Sequence, residues 1–147
     1  MTPALTSLLA IVLAMALAFV LVIGVELFSA AVYPVPAELQ DNIPEHVRRY
    51  PTWILAVVVP LWGATAGAAA WVASRMGGRI AGAIVALLLA LALGFNLAML
   101  PYVPWFKVVM PVAFAVACLL GAKSGARHRL PPAQPAAPAG GRQERRA

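Results

Sequence analysis

Four long apolar runs dominate the chain, at about 5–32, 53–73, 80–100 and 105–120. A hydrocarbon core about 30 Å thick takes roughly 20 apolar residues of helix to cross, and each run is close to that length or beyond it. The segments between them are unequal. The first, 33–52, is a polar loop, "YPVPAELQDNIPEHVRRYPT"; the second is "SRMGGR" and the third only "PYVP". Such short connections force the last three runs into tight antiparallel hairpins. The pattern therefore predicts an all-α, integral membrane four-helix bundle, up-down-up-down, over residues 1–123. From 124 onward Pro, Ala, Gly and Arg dominate and no apolar periodicity remains, which predicts a disordered basic tail over 124–147.

Composition agrees with the pattern. The chain is 63% hydrophobic and 11% charged, with mean hydropathy +0.87, whereas a soluble domain carries about 25% charged residues. The formal net charge of +6 does not predict a nucleic-acid partner, because the excess sits in a short loop and the tail and not along a folded face. Cys118 is the single cysteine, so no intrachain disulfide is available and cysteine usage assigns no redox compartment. The first apolar run is far longer than the roughly 7–15 residues of a signal-peptide core, and no Lys or Arg precedes it. It is expected to remain as a helix.

Charge sets the expected orientation. Both ends of the bundle domain and the second connection share one side, with Arg75, Arg79, Lys123, Arg127, Arg129, Arg142, Arg145 and Arg146. The other side has only Arg48, Arg49 and Lys107, diluted by Glu38, Asp41 and Glu45. Basic residues favour the cytoplasm, so the chain is expected to lie in a cell inner (plasma) membrane with both termini cytoplasmic. Tyr33, Tyr50, Trp53, Tyr102 and Trp105 gather at the opposite, outer boundary, where amphipathic aromatic rings anchor.

Small residues recur at helical spacing. Ala10, Ala14 and Ala18 mark span one, Gly63, Gly67, Ala70 and Ser74 span two, and Gly82, Ala86, Ala90, Gly94 and Ala98 span three. Lipid is as apolar as Leu, so helices in a bilayer associate through close contact of small side chains. Gly63, Gly67, Gly82 and Gly94 are therefore the expected helix-packing positions. Pro60 should kink span two near its outer end.

Few strongly polar groups lie inside the spans: Glu26, Asn96 and, near an end, Lys107. At 1.5 Å per residue they fall roughly 8, 6 and 3 Å below the outer boundary. They share one layer, and intramembrane ionisable groups commonly pair. A polar cluster of Glu26, Asn96 and Lys107 is expected. In its structural form Glu26 pairs with Lys107, or with Arg48 or Arg49 of the loop; in its functional form it is a proton or cation site. Within the loop, "IPEHVRRYP" predicts a short interfacial helix with Pro44 at its first position and Pro51 at its end. Val47 and Tyr50 would rest on the bundle, and His46 would sit on a solvated face. Asp41, Glu45 and His46 lack tight metal-ligand spacing, and no metal or cofactor is expected.

The segments "GVELFSAAVYPVP", "YPTWILAVVVPLWGATAG" and "FNLAMLPYVPWFK" resemble an uncharacterised group of small bacterial four-helix integral membrane proteins, over roughly residues 20–110. That resemblance implies the span count and no activity. A carboxylate in the first of four spans is also similar in layout to the small multidrug-resistance transporters. This likeness would imply a proton-coupled exporter working as a dimer around Glu26. The late position of Glu26 in its span, the long first loop and the tail depart from that plan.

Two functions follow as expectations. The first is a small non-catalytic membrane protein, an accessory or structural component acting through helix–helix association. Its partners would be the lipid bilayer and a membrane protein or second copy of the chain. The second is a small transporter or channel subunit using Glu26. Enzymatic chemistry ranks below both. Ser29 and His46 are a nucleophile and base that meet only if the loop folds over span one, and covalent catalysis needs them within hydrogen-bond reach.

Overall fold

A computed structural model of the chain describes residues 2–128. Helix α1 (Pro3–Val32) leads through a single 3-10 turn (Ala37–Leu39) to the short helix α2 (Ile43–Arg48). Three more helices follow: α3 (Thr52–Gly77), α4 (Arg79–Met99) and α5 (Pro104–Arg127). Four of these, α1, α3, α4 and α5, are long and apolar enough to cross a membrane. They form the expected up-down-up-down bundle. One end carries Pro3, the Gly77–Gly78 turn and Arg127 (the termini end); the other carries the 33–51 connection and Leu100–Val103 (the loop end).

Local signals set the helix ends. The Thr2 hydroxyl accepts from the Leu5 N–H at 3.4 Å and caps α1. Asn42 caps α2 in the same way, its side chain accepting from the Glu45 N–H at 3.2 Å. Pro44 lies in the first turn of α2, Pro51 ends the connection, and Pro104 opens α5. Between α3 and α4 the chain reverses at one residue, Gly78, whose φ of 85° favours glycine. Helix α3 continues through Pro60 and α5 through Pro111.

Two boundaries differ from expectation. Helix α3 continues past 73 to Gly77, and α5 continues past 120 to Arg127, so residues 124–127 are helix and not tail. The cause is packing. A side chain at Gly125 would meet the Trp71 carbonyl, and one at Gly121 would meet the Gly67 carbonyl. Continued backbone contact with α3 thus holds the last turn of α5 in place. The remainder of the expected tail, 129–147, lies outside the described residues, as does Met1.

Helix α3 is the hub. It packs against α1, α4 and α5, whereas α1 and α5 face each other across the bundle without touching. Residue size sorts inside from outside. The buried face of α1 is Ala10, Ala14, Ala18, Val25 and Ser29, while Leu8, Phe19 and Leu27 point outward. At the termini half Ala14, Ala18, Ala69, Ala73, Ala81 and Val85 form one cluster. At the loop half the core changes to Leu55, Leu93, Leu97, Phe106, Met110 and Phe114. Helix separation depends on the side chains at the contact, so small residues let α1, α3 and α4 approach at the termini end and large ones fill the core at the loop end.

Of the four expected packing glycines, three lie at crossings. Gly63 and Gly67 meet Ala113 and Ala117 of α5, and Gly82 meets Ser74 and the Ala70 carbonyl of α3. Gly94 does not: a Cβ there would meet nothing within 4 Å. The reason is rotation along α4, whose small row passes from α3 at Gly82 to an open face at Ala90 and Gly94. The matching row on α5, Ala113, Ala117, Gly121 and Gly125, was absent from the expected packing positions. Through Gly121 and Gly125 it brings α5 against the backbone of α3.

These contacts predict opposite outcomes for two similar substitutions. Gly121→Ala should destabilise the bundle by about 1–3 kcal/mol, because the added methyl meets backbone that cannot turn aside. Gly94→Ala should leave stability unchanged or slightly raised. Thermal or SDS-titrated unfolding in detergent micelles compares them directly, and equal effects would contradict the assigned crossing.

Candidate functional site at the loop end

The loop end of the bundle holds a cavity of about 30 Å³, lined among others by Glu26, Ser29, Tyr50, Trp62, Asn96 and Tyr102. Room for a single water begins at about 10–15 Å³ on this measure, so the cavity takes one or two water-sized groups. All four spanning helices contribute. Ser29 is buried on the α1 face that meets the bundle, and Glu26 lies three residues before it, at the edge of that face. Glu26 is consequently exposed on one side while its other side lines the cavity. Asn96, half-buried, approaches from α4. Phe106 from α5 and Leu55 and Val58 from α3 supply apolar wall.

The connection folds over this end. Tyr33 stacks on His46, with ring centroids 4.9 Å apart and planes 14° from parallel. Tyr50 closes the group at 5.3 Å from Tyr33 and 5.1 Å from His46. The Tyr33 hydroxyl donates to the Arg49 carbonyl at 3.2 Å, tying the end of α1 to the end of α2. His46 and Val47 are buried beneath α2. Val47 was expected there; His46 was not, since a polar loop suggested a solvated imidazole. His46 shares the buried side of α2 with Val47, where its ring stacks on Tyr33 and meets Tyr50 at an angle. No hydrogen bond joins His46 to Ser29 among the described residues.

The expected ion pairs form differently. Lys107 does not line the cavity and is exposed. Phe106, Met110 and Phe114 make the buried row of α5, and Lys107 lies about 60° around the helix from the middle of that row, at its exposed edge. Arg48 and Arg49 also leave Glu26 alone. Both turn to Glu45 on their own short helix, Arg49 Nε at 3.0 Å and Arg48 Nη1 at 3.9 Å. Neighbours three and four residues apart on one helix face meet more cheaply than partners on different elements. Among the described residues no cationic side chain forms an ion pair with Glu26. Trp62, which sequence patterning did not single out, lines the cavity, and its buried indole N–H has no hydrogen-bond partner among the described residues.

The tyrosines record the electrostatics. Burial pushes the Tyr102 phenol up to about 12, and the nearby Glu26 carboxylate and Tyr50 add to it. Tyr50 is raised by the same order of causes: burial, then Glu26, then Tyr33. Both therefore remain neutral O–H donors beside Glu26 at physiological pH.

Comparison with protein-family models, curated proteins and solved structures returned no match.

The raised phenols predict an alkaline transition. Tyr102 binds its proton more tightly in the folded state, near pH 12, than in the unfolded chain, near 10.0. Its contribution to stability is whole below pH 10.0 and is lost as pH rises through 12. Alkaline titration of the phenolate band should show one late-ionising tyrosine, absent in Tyr102→Phe, and that variant should lose less stability over the same window.

Proposed function

We propose that the chain is a small, non-catalytic component of a bacterial inner membrane, an accessory protein that takes up a monovalent cation or protonated amine at Glu26. The cation would arrive from the loop side, which the distribution of Lys and Arg assigns to the exterior, leaving both termini cytoplasmic. One observation carries the reading. Glu26 borders a cavity whose other polar groups are neutral, Ser29, Asn96, Tyr50 and Tyr102, with no ion pair to a cationic side chain among the described residues. A carboxylate at the edge of an apolar interior is neutralised by a proton or balanced by a cation, and the neutral lining here supplies no cation of its own.

The class of cation follows from the lining. A divalent ion such as calcium takes six to eight oxygens, more than one carboxylate, one amide and a few hydroxyls supply in about 30 Å³. The aromatic rings of Tyr50, Trp62, Tyr102 and Phe106 suit a weakly hydrated monovalent head, which is attracted to their faces. Below the cavity Ala66 of the hub helix and Met110 are fully buried, and the alanine cluster follows. This packing supports one-sided uptake over passage. The transporter or channel reading shares the same carboxylate and separates from the accessory reading by flux alone.

Trp62 gives the test its signal. Titrating sodium, potassium and methylammonium at constant ionic strength should change the tryptophan emission of the wild type saturably. Glu26→Gln should abolish the change, and Trp62→Phe should remove its optical signature while calorimetric binding persists. An identical titration in Glu26→Gln would sink the site. Proton or cation flux in proteoliposomes that Glu26→Gln abolishes would replace the accessory role with transport.

A further inference from the structure

At the termini end α4 and α5 do not close on each other. Between them lies a cleft of about 720 Å³ lined by Arg79, Lys123 and Arg127, with small residues such as Ala83, Ala122 and Ala126 between the cations. The cleft shares Ala86, Cys118 and Leu119 with a second space of about 360 Å³ that continues toward the loop end. Every residue lining this second space is apolar, among them Ala90, Gly94, Phe114 and Ala115. The two form one trough with a cationic mouth. From Arg79 to Gly94 it runs roughly 22 Å along α4, more than the roughly 15 Å of one leaflet's hydrocarbon.

The trough exists because of where α5 is held. Gly67 and Gly121 bring α5 against α3 backbone to backbone, and this fixes its distance from α4. Small residues normally let two helices approach. Here they face each other across a gap too wide for them to fill. Arg75, the fourth cation at this end, is occupied elsewhere, its guanidinium 4.9 Å above the Trp71 ring. The carboxylates of the described residues, Glu26, Glu38, Asp41 and Glu45, belong to α1 near the loop end or to the connection. The mouth therefore has no acidic neighbour among the described residues.

We infer that the α4–α5 trough binds an anionic phospholipid of the leaflet at the termini end, its phosphate between Arg79, Lys123 and Arg127 and one acyl chain along Ala86, Ala90 and Gly94. Charge selects this occupant. A second copy would bring the same three cations to the mouth. Residues 129–147 would bring Arg129, Arg142, Arg145 and Arg146 against one acid, Glu144. A zwitterionic lipid fits the apolar part but leaves the cationic mouth uncompensated. Basic pockets between membrane helices bind anionic headgroups for this reason. The inference uses only the bundle and its embedding, and it stands apart from the reading of Glu26.

Native mass spectrometry of the full chain, released from detergent micelles supplemented with phosphatidylglycerol or phosphatidylcholine of matched chains, tests it. Phosphatidylglycerol should be retained as a single adduct with roughly tenfold or greater preference. Millimolar inorganic phosphate should not displace it, since the acyl chain contributes to the binding. Lys123→Gln/Arg127→Gln should erase the preference, and Arg75→Gln, away from the cleft, should keep it. Gly94→Phe, placed where a Cβ meets open space, should reduce retention of the adduct with helix content unchanged by circular dichroism. Equal retention of the two lipids by the wild type overturns the inference. So does loss of preference in Arg75→Gln equal to that in the double variant, displacement by phosphate, or a lipid-free dimer as the main species.

Discussion

The contact between α3 and α5 at Gly67 and Gly121 decides how far apart everything else stands. Neither residue has a side chain, and a Cβ on Gly121 would fall on the Gly67 carbonyl. The two backbones meet there, and again where Gly125 lies against the Trp71 carbonyl. In lipid no hydrophobic force favours burying a Leu over leaving it outside, so this close fit is the source of cohesion. It also explains the inverted look of the bundle, with alanine and glycine inside and Phe19, Ile80, Leu91 and Phe95 on the surface. A helix so held cannot also close on α4 along its whole length, because α3 and α4 are already pinned at Gly78 and Gly82.

From that constraint follow the two openings. At the termini end α4 and α5 are left apart with small residues on both walls, which makes the trough. At the loop end the core changes from alanine to Leu93, Phe106 and Met110, side chains that reach inward. Glu26 borders this region, one helix edge away from the buried Ser29. A carboxylate at the level of Ala14 or Ala18 would meet only alanine faces. At Glu26 it meets an amide, phenols and a hydroxyl. The taper of side-chain size along the bundle is therefore what makes an ionisable residue tolerable at one depth and not another.

Much of this was legible in the sequence, for reasons that separate by dimension. Depth was readable, because hydropathy gives the length of each span and the rise per residue converts position to height; Glu26, Asn96 and Lys107 were placed in one layer on that basis. Azimuth was only partly readable. The row Phe106, Met110 and Phe114 indicates which side of α5 faces inward, and Lys107 falls at its edge, so the period alone does not turn it away from Glu26. Gly94 failed in the same way: a small residue every fourth position marks a face without saying what covers it. The row Ala113, Ala117, Gly121 and Gly125 carries the same spacing and was obscured by Pro111, Lys123 and the small polar residues that follow, which read as the start of a tail. His46 was the least legible. Its burial depends on the loop crossing the bundle end, a tertiary event that no local period encodes.

The buried histidine and the tyrosines around it show how the connection is held on the bundle with few aliphatic residues of its own. The connection contributes Leu39 and Val47 as its buried aliphatic anchors. Its remaining hold is the stack of Tyr33, His46 and Tyr50 and the single hydrogen bond from Tyr33 to the Arg49 carbonyl. Aromatic pairs add about 0.5–1.5 kcal/mol each beyond the area they bury, so this group matches a few aliphatic residues in strength. It differs in kind, since Tyr33 uses its hydroxyl to tie α1 to the end of α2 while the His46 ring is buried between the two elements. One member of the group, Tyr50, also lines the cavity, so a shift of the loop cannot leave the surroundings of Glu26 unchanged. Tyr50 makes the link concrete: it belongs to the stack, lines the cavity, and has its phenol raised partly by Glu26.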